Sequence, residues 1–342
     1  MRNLTVDLNG QQIKRKKMKR HYPLAVVAVL AGAMICNAQA QSAYPDRSVQ
    51  VILPLQAGSA SDVAVRVVVE RLAEALKQSV TVENATGAAG LIGTDRLIKS
   101  RADGYTLAAL NNSILTILPN IQKDKVKFDP FTDFVPLGGI ASIPTLLGVH
   151  KDLPVKNVQE LLALAKAQPG KLNYSSGGAG SPQHLATEMF MAMSGVKLTH
   201  VPYKGAQQAA TDLAAGQVQV MFIAHSLALP HLPSGRVRPI AFAGGARSAS
   251  FPDLPTIAES GVPNYDYASW IALFAPKGTP DEVVGRLRAE MAKILARPDV
   301  AQKLAGGGLE LWAVSHDRLA TAIRDDYARW QQVVKTANIV AN

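Results

Sequence analysis

Residues 49–77 read VQVILPLQAGSASDVAVRVVVERLAEALK. An apolar run, a turn of small residues and then Val and Leu at helical spacing predict a strand, a tight loop and a helix over 62–77. Within the loop, Ser59-Ala60-Ser61-Asp62 fits a capping box, with Ser59 at the N-cap and Asp62 three residues on. Such a unit leaves the first amides of the helix free to meet a ligand.

The unit recurs. VTVEN (80–84) predicts a second strand, followed by the loop ATGAAG (85–90) and a helix over 91–100. GYTLAAL (104–110) predicts a third strand that runs into a polar loop, Asn111-Asn112-Ser113. The segment 125–150, KVKFDPFTDFVPLGGIASIPTLLGVH, carries the chain onward to a second round. There VQELLALAKAQPG (158–170) reads as a helix, KLNYSS (171–176) as a strand, GGAGS (177–181) as a loop and PQHLATEMFMAMSG (182–195) as a helix. LTHVPYKG (198–205), VQVMFIA (218–224) and VRPIAFAG (237–244) read as strands, and AQQAATDLAAG (206–216) and TIAESG (256–261) as helices.

Strands separated by helices of this length argue for parallel βαβ units. Beyond Trp270–Phe274 the chain is mostly helical, over 281–296, 298–305 and 316–336. A helical tail with one strand is poor material for a separate domain and is expected to pack back onto the first unit. The reading is therefore an α/β protein with two lobes and a ligand cleft between them. Lobe 1 is 44–143 plus 268–342, and lobe 2, 144–267, is inserted into it. In open α/β sheets ligands lie beyond the carboxyl ends of the strands, where the small-residue loops of both lobes gather.

Of 342 residues, 48% are hydrophobic and 18% charged, and the formal net charge is +10. That charge is no nucleic-acid signature, because seven of the basic residues lie within residues 1–20 beside a single acid, Asp7. An apolar run, YPLAVVAVLAGAMIC (22–36), and then NAQA (37–40) follow. Basic head, short apolar middle and Ala38-x-Ala40 predict a secretory signal peptide over 1–40, cleaved after Ala40. The run falls short of the ~20 residues that span a bilayer. Without 1–40 the 36 basic and 26 acidic residues fall by seven and one, leaving +4. The lone cysteine, Cys36, leaves with the signal, so the exported chain has no thiol or disulfide. Export without an anchor points to the periplasm.

Three loops share one design. The first carries Gln56, Ala57, Gly58, Ser59 and Asp62, and the second runs Gly87-Ala88-Ala89-Gly90-Leu91-Ile92-Gly93. In the third, Ser175-Ser176-Gly177-Gly178-Ala179-Gly180-Ser181, Ser181 is a natural N-cap and Pro182 suits the first helical position. Each is an anion site in principle. None ends in Gly-Lys-Ser/Thr as a P-loop does, and 87–93 spaces its glycines as G-x-x-G-x-x-G rather than G-x-G-x-x-G. Many amides and hydroxyls with few cations suit one or two carboxylates. Lys204, after a strand, is placed to reach into the cleft, as are Asn111 and Ser113.

No catalytic set stands out. Gly178-Ala179-Gly180-Ser181-Pro182 is not a nucleophile elbow, and His200, His225 and His231 do not follow zinc spacing. His184, in the first turn of its helix, is expected to hydrogen-bond the loop before it. Trp270 is the aromatic residue expected at a lobe crossing. The expectation is no enzyme, no cofactor and no metal.

Several further segments match a known family in order and spacing. They are YPDRSVQVILP (44–54), VENATGAAGLIG (82–93), DGYTL (103–107), FDPFTDFVPL (128–137), LLALAKAQPGKLNYSSGGAGSPQHLA (161–186), HVPYKGAQQAATDLAAGQV (200–218), FPDLPTIAESGVPNY (251–265) and WIALFAPKGTP (270–280). Across 44–340 the chain resembles the Bug family, periplasmic solute receptors of tripartite tricarboxylate transporters. The resemblance implies a type II periplasmic-binding-protein fold and a small organic carboxylate as ligand. It implies membrane permease subunits as partners, or a sensor kinase ectodomain, a monomeric receptor and no nucleic acid. The first loop then looks like one carboxylate clamp, and YSSGGAGSPQH (174–184) like its opposite number. Two departures stand out. Gln56-Ala57 replace the family's consecutive prolines, and Ile223, with Ala224-His225-Ser226 beyond, stands where an aspartate is usual. His225 thereby joins the candidate contacts.

Overall fold

The computed structural model describes residues 44–248 and 250–337; the signal peptide expected over 1–40 lies outside the described residues. The chain opens with β1 (Val49–Leu53), α1 (Ala60–Leu76), β2 (Val80–Asn84), α2 (Leu91–Ile98) and β3 (Thr106–Asn111). A π turn over Ser113–Ile117 leads into the short α3 (Leu118–Ile121). The polar stretch 111–113 is thus no loop. Asn111 ends β3, and its Oδ1 accepts the Ile114 N–H at 3.1 Å, which starts the helical turn.

Next come β4 (Phe134–Ser142), β5 (Thr145–His150), α4 (Val158–Ala167), β6 (Asn173–Ser176), α5 (Pro182–Ser194), β7 (Thr199–Pro202) and α6 (Ala206–Ala214). The chain continues through β8 (Val220–Ala224), α7 (His225–Ala228) and β9 (Val237–Phe242). It closes with β10 (Trp270–Pro276), α8 (Asp281–Leu295), α9 (Pro298–Gly306), the two-residue β11 (Glu310–Leu311) and α10 (His316–Ala337).

Two sheets organise these elements, one to each α/β lobe. The first has strand order β11-β4-β10-β3-β1-β2, and the second β7-β6-β8-β5-β9. The βαβ strands pair in parallel as expected, β1 with β2 and β3, and β6 with β7 and β8. The strands that connect the lobes do not. β10 runs antiparallel to β3 and β4, and β5 antiparallel to β8 and β9. Strands β4 and β5 come from the apolar segment that the sequence reading left without elements. Ser142-Ile143-Pro144-Thr145 passes straight from one sheet into the other.

The return crossing, Tyr267–Ser269, lies beside it. Ile143 N–H donates to Ser269 O at 2.8 Å, and Ala243 N–H to Thr145 O at 2.9 Å. Trp270 starts β10 directly after this crossing, buried against Trp312 at 5.2 Å between ring centres.

The helix expected at TIAESG is a turn. Thr256 N–H donates to Glu259 at 2.7 Å and Glu259 N–H to Thr256 Oγ1 at 3.1 Å, a complete capping box. Gly261, at φ +105°, stops the chain before a helix can propagate.

Helix α1 shows why the pattern works. Ala64, Val65, Val68, Val69, Leu72 and Leu76 make one buried face at three- and four-residue spacing. They join β1 in a core cluster that also takes in Leu146 and Met221 from the second sheet and Leu227 from α7. A second cluster forms at the second sheet around Tyr174, Phe190, Phe222 and Tyr265. Helix α10 touches both sides. Leu319 and Ile323 pack with Trp270 and Phe274, whereas Trp330 enters the cluster of Tyr174 and Phe190. Among the described residues no helix is long and apolar enough to cross a membrane.

Candidate functional site

The carboxyl ends of β1, β2 and β3 face those of β6, β7 and β8 across a cavity of about 420 Å³. Loop chemistry sets its walls. Ser59 caps α1, its Oγ accepting the Asp62 N–H at 3.2 Å. The Asp62 carboxylate turns back into the loop. It accepts from Gly58 N–H at 3.0 Å, Arg66 Nε at 2.9 Å and Asn84 Nδ2 at 2.9 Å. Burial opposes its charge, yet the Arg66, Asn84 and Gly58 donors outweigh burial and hold its pKa below the ordinary range. The reciprocal bond of the capping box therefore reaches Gly58 rather than Ser59, whose own N–H donates to Gln56 O.

A helix leaves its first amides without intrahelical partners, and each cap takes only one. In α1 the Asp62 amide is taken, which leaves those of Ala60 and Ser61, both on the cavity. In α5, Pro182 has no N–H and His184 N–H meets Ser181 Oγ, so Gln183 is left, again on the cavity. The start of α6 has no side-chain cap, and Ala206 lines the cavity with Lys204 and Gly205.

The sequence-derived candidates divide between lining and support. Gln56, Ser59, Asn111, Ser113, Gly177, Gly180, Ser181 and Lys204 line the cavity. Ala57 and Gly58 sit on the exposed outer turn, and Asp62 is the internal anchor just described. Ser175 Oγ donates to Ala209 O behind the sheet. His225 lies outside the lining, its ring against Phe251 at 4.5 Å and its backbone N–H donating to Pro144 O. The Gly180 amide is spent within its own loop, donating to His184 Nδ1 at 3.1 Å.

His184 and Ser176 belong to a buried network under α5 that the sequence did not reveal. Ser176 Oγ is hydrogen-bonded to His200 Nε2 at 2.6 Å, and the His200 ring stacks on His184 at 4.5 Å and Tyr174 at 4.8 Å. Tyr174 OH donates to Glu188 at 2.8 Å, and His184 Nε2 lies 3.5 Å from the same carboxylate. Burial, with neighbouring His184 adding to it, pushes the His200 pKa down to about 4, and burial lowers that of His184. Ser176 is fully buried and off the cavity lining. The pair holds up the loop.

The second loop lines the cavity throughout Thr86–Gly90. This agrees with its reading as one of three anion loops, although none of its residues was among the individual candidates; its shape rests on Ala88 and Ala89 at φ +47° and +57°, where alanine is not expected. Thr145, Phe222, Gln183, Tyr267 and Ser269 were missed as well. Gln183 reaches the cavity from the start of α5, and the others through the antiparallel crossings or from core positions.

The lobes touch across the cavity. A Cβ at Gly205 would stand 1.7 Å from Gln56 Oε1, and one at Gly180 2.6 Å from the Cβ of Ala89. Gln56, one of the departures noted in the sequence, thus spans the cleft mouth. At the lobe base a Cβ at Gly308 would meet the Ser226 backbone at 2.8 Å.

Comparison with known proteins places this geometry. Residues 64–339 match the family described as the tripartite tricarboxylate transporter family receptor. Protein BugT of Bordetella pertussis is 33% identical over 318 residues, covering 91% of this chain and 96% of that protein. The structure of Rpa4515 from R. palustris with adipate superposes with a TM-score of 0.81 at 37% identity, covering 87% of this chain and 99% of the other. MatC from Rhodopseudomonas palustris with bound malate gives a TM-score of 0.77 at 29% identity, covering 85% and 100%. The chain belongs to the tripartite tricarboxylate transporter receptor family, the Bug proteins, which are periplasmic solute-binding receptors of two-lobed fold.

Proposed function

We propose that this receptor traps a small organic carboxylate in the cavity between its lobes and delivers it to the permease subunits of a tripartite transporter. One observation carries the reading. Helix starts from both lobes turn unspent amides onto a cavity whose only charged lining side chain, among the described residues, is Lys204. Aligned N–H groups and the positive ends of helix dipoles stabilise a carboxylate. The R. palustris relatives that hold adipate and malate support the same ligand chemistry.

In this reading 44–143 with 268–342 form one lobe and 144–267 the other, with the end of α10 reaching across onto the second. Cleavage after Ala40 releases the receptor into the periplasm, where it works as a monomer. The ligand enters an open cleft, and the Gln56–Gly205 and Ala89–Gly180 contacts seal it. The permease then reads the closed form, and the ligand leaves chemically unchanged.

The test is a thermal-shift screen of residues 41–342 against organic acids, with sugars, amines and inorganic anions as controls. A native-state ligand at a hundred times its Kd adds about 2.7 kcal/mol, a rise on the order of 5 °C. A screen in which only compounds without a carboxylate stabilise the protein would overturn the reading.

A further inference from the structure

We propose that the end of the ligand remote from its carboxylate is a neutral hydrogen-bond acceptor, an amide, ester or ketone oxygen, read by Asn111 and Ser269. The inference rests on the carboxylate reading above and names the class of compound that this particular cleft takes.

Strand order gives the cavity two poles. The helix starts follow strands toward one side of each sheet, β1 in one and β6 and β7 in the other. The opposite pole lies where β3, β10, β5 and β8 meet at the lobe crossings. Asn111 and Ser113 come from the end of β3, Ser269 from just before β10, Thr145 from β5 and Ala224 from β8. Lys204, the cation, stands exposed on the loop after β7, with the helix starts.

The crossing pole carries buried polar atoms without a protein partner. Asn111 is fully buried, and its Oδ1 is committed to the Ile114 N–H. Turning the amide over would set an NH₂ group against that N–H, so Nδ2 is fixed as the free donor. It has no partner, and neither has the Oγ of Ser269, a residue only 4% exposed. Ser269 stands in the wall between this cavity and a smaller one of about 280 Å³ behind the crossings. Nearby, Ser113 Oγ and Tyr267 OH are a loose 3.5 Å apart.

Unpaired buried donors are costly and are met by an acceptor that arrives with the ligand. Among the described residues this pole of the cavity offers hydroxyls and an amide but no cation; Arg247, on the smaller cavity behind, is paired with Glu259 and shares that wall with Asp266 and Glu310. A second carboxylate brought here loses its water without a counter-charge, whereas a neutral oxygen takes the same donors without that loss. A site built in this way discriminates strongly on the group it binds.

The experiment is calorimetric. Four-, five- and six-carbon diacids are titrated into residues 41–342 beside their monoamides, their methyl monoesters and the plain monocarboxylates of equal length. At the best-fitting length the monoamide or monoester is expected to bind at least about tenfold tighter than the diacid. Ser269→Ala removes a hydroxyl with no protein partner, so stability of the ligand-free protein should hold or rise while monoamide affinity falls severalfold. Asn111→Leu is expected to weaken the monoamide about tenfold or more, and the plain monocarboxylate much less. A diacid that binds as tightly as its monoamide overturns this inference and leaves the carboxylate reading standing. Equal losses for every compound in both variants overturn it as well. A panel in which no acid binds overturns both.

Discussion

The backbone N–H of Gly180 donates to Nδ1 of His184 at 3.1 Å, so the tip of a cavity loop is held by a neutral imidazole. The proton of that ring sits on Nε2, facing Glu188. Replacing His184 by Ala leaves the Gly180 amide, in a buried position, without an acceptor. The expected cost is about 1–3 kcal/mol of stability, read by chemical denaturation, together with weaker ligand binding. His184→Gln, which returns an acceptor, should recover part of both. Equal losses in the two variants would show that ring packing, not the hydrogen bond, is what matters.

Acid should loosen the same loop. His184 and His200 both take up protons less readily in the folded chain than the ordinary value of 6.5, with His200 at about 4. Between those values the unfolded chain binds more protons, so stability rises with pH. The stabilisation is fully present above about 6.5 and is lost as pH falls toward 4. Thermal midpoints of the ligand-free protein should therefore drop from pH 7 to pH 5, and drop less in His200→Phe. A wild-type profile as flat as that of the variant would contradict the assignment.

Gly205 is a point of closure. Its φ of −170° is open to any residue, so Gly205→Ala should leave the fold within about 1 kcal/mol of wild type. The new Cβ would occupy the place of Gln56 Oε1, so the flexible Gln56 amide must swing off the cleft mouth. Ligand affinity, read by calorimetry, is expected to fall a few-fold, and Gln56→Ala alone should cost about the same. In the double variant the loss should be no larger than in either single one, because the shared contact can be lost only once. Fully additive losses would locate the defect in the α6 start instead.

Two other glycines separate lining from support. Gly58 and Gly180 share φ +76°, so valine strains the backbone at either. At Gly58 the side chain meets open space, whereas at Gly180 it meets Ala89 across the cleft. Gly180→Val should weaken binding by tenfold or more and Gly58→Val only a few-fold, as measured by calorimetry on folded protein. The reverse order would return the ligand to the outer turn of the first loop.

How far these features could be read in advance depended on the range of the forces that set them. VQVIL, VTVEN and the Ser59 and Ser181 caps are local patterns, and the parallel strands and helix starts followed from them. Phe134–His150 hid two strands because a mostly apolar run carries no clear period, and Pro144, where it changes sheets, is not set apart from Pro136 and Gly138-Gly139 within the same run. His200 lies 24 positions from Ser176, and only the β6–β7 register, Tyr174 beside His200, makes them neighbours. The crossings likewise brought Ser269 and Tyr267 to the cavity. At Thr86–Gly90 the obstacle was conformational, two alanines held left-handed by the packing of a finished fold.

Helix α10 has a mechanical consequence. Its 22 residues make a rod about 33 Å long, seated near one end by Leu319 and Ile323 and near the other by Trp330. A rod anchored in two bodies resists stretching and compression but permits rotation about its own axis. With the paired crossings as a second line of attachment, the lobes are left essentially one way to move. If the lobes close on a ligand as proposed, the loaded and empty receptors differ by an angle, and that angle is all a docking partner would need to sense.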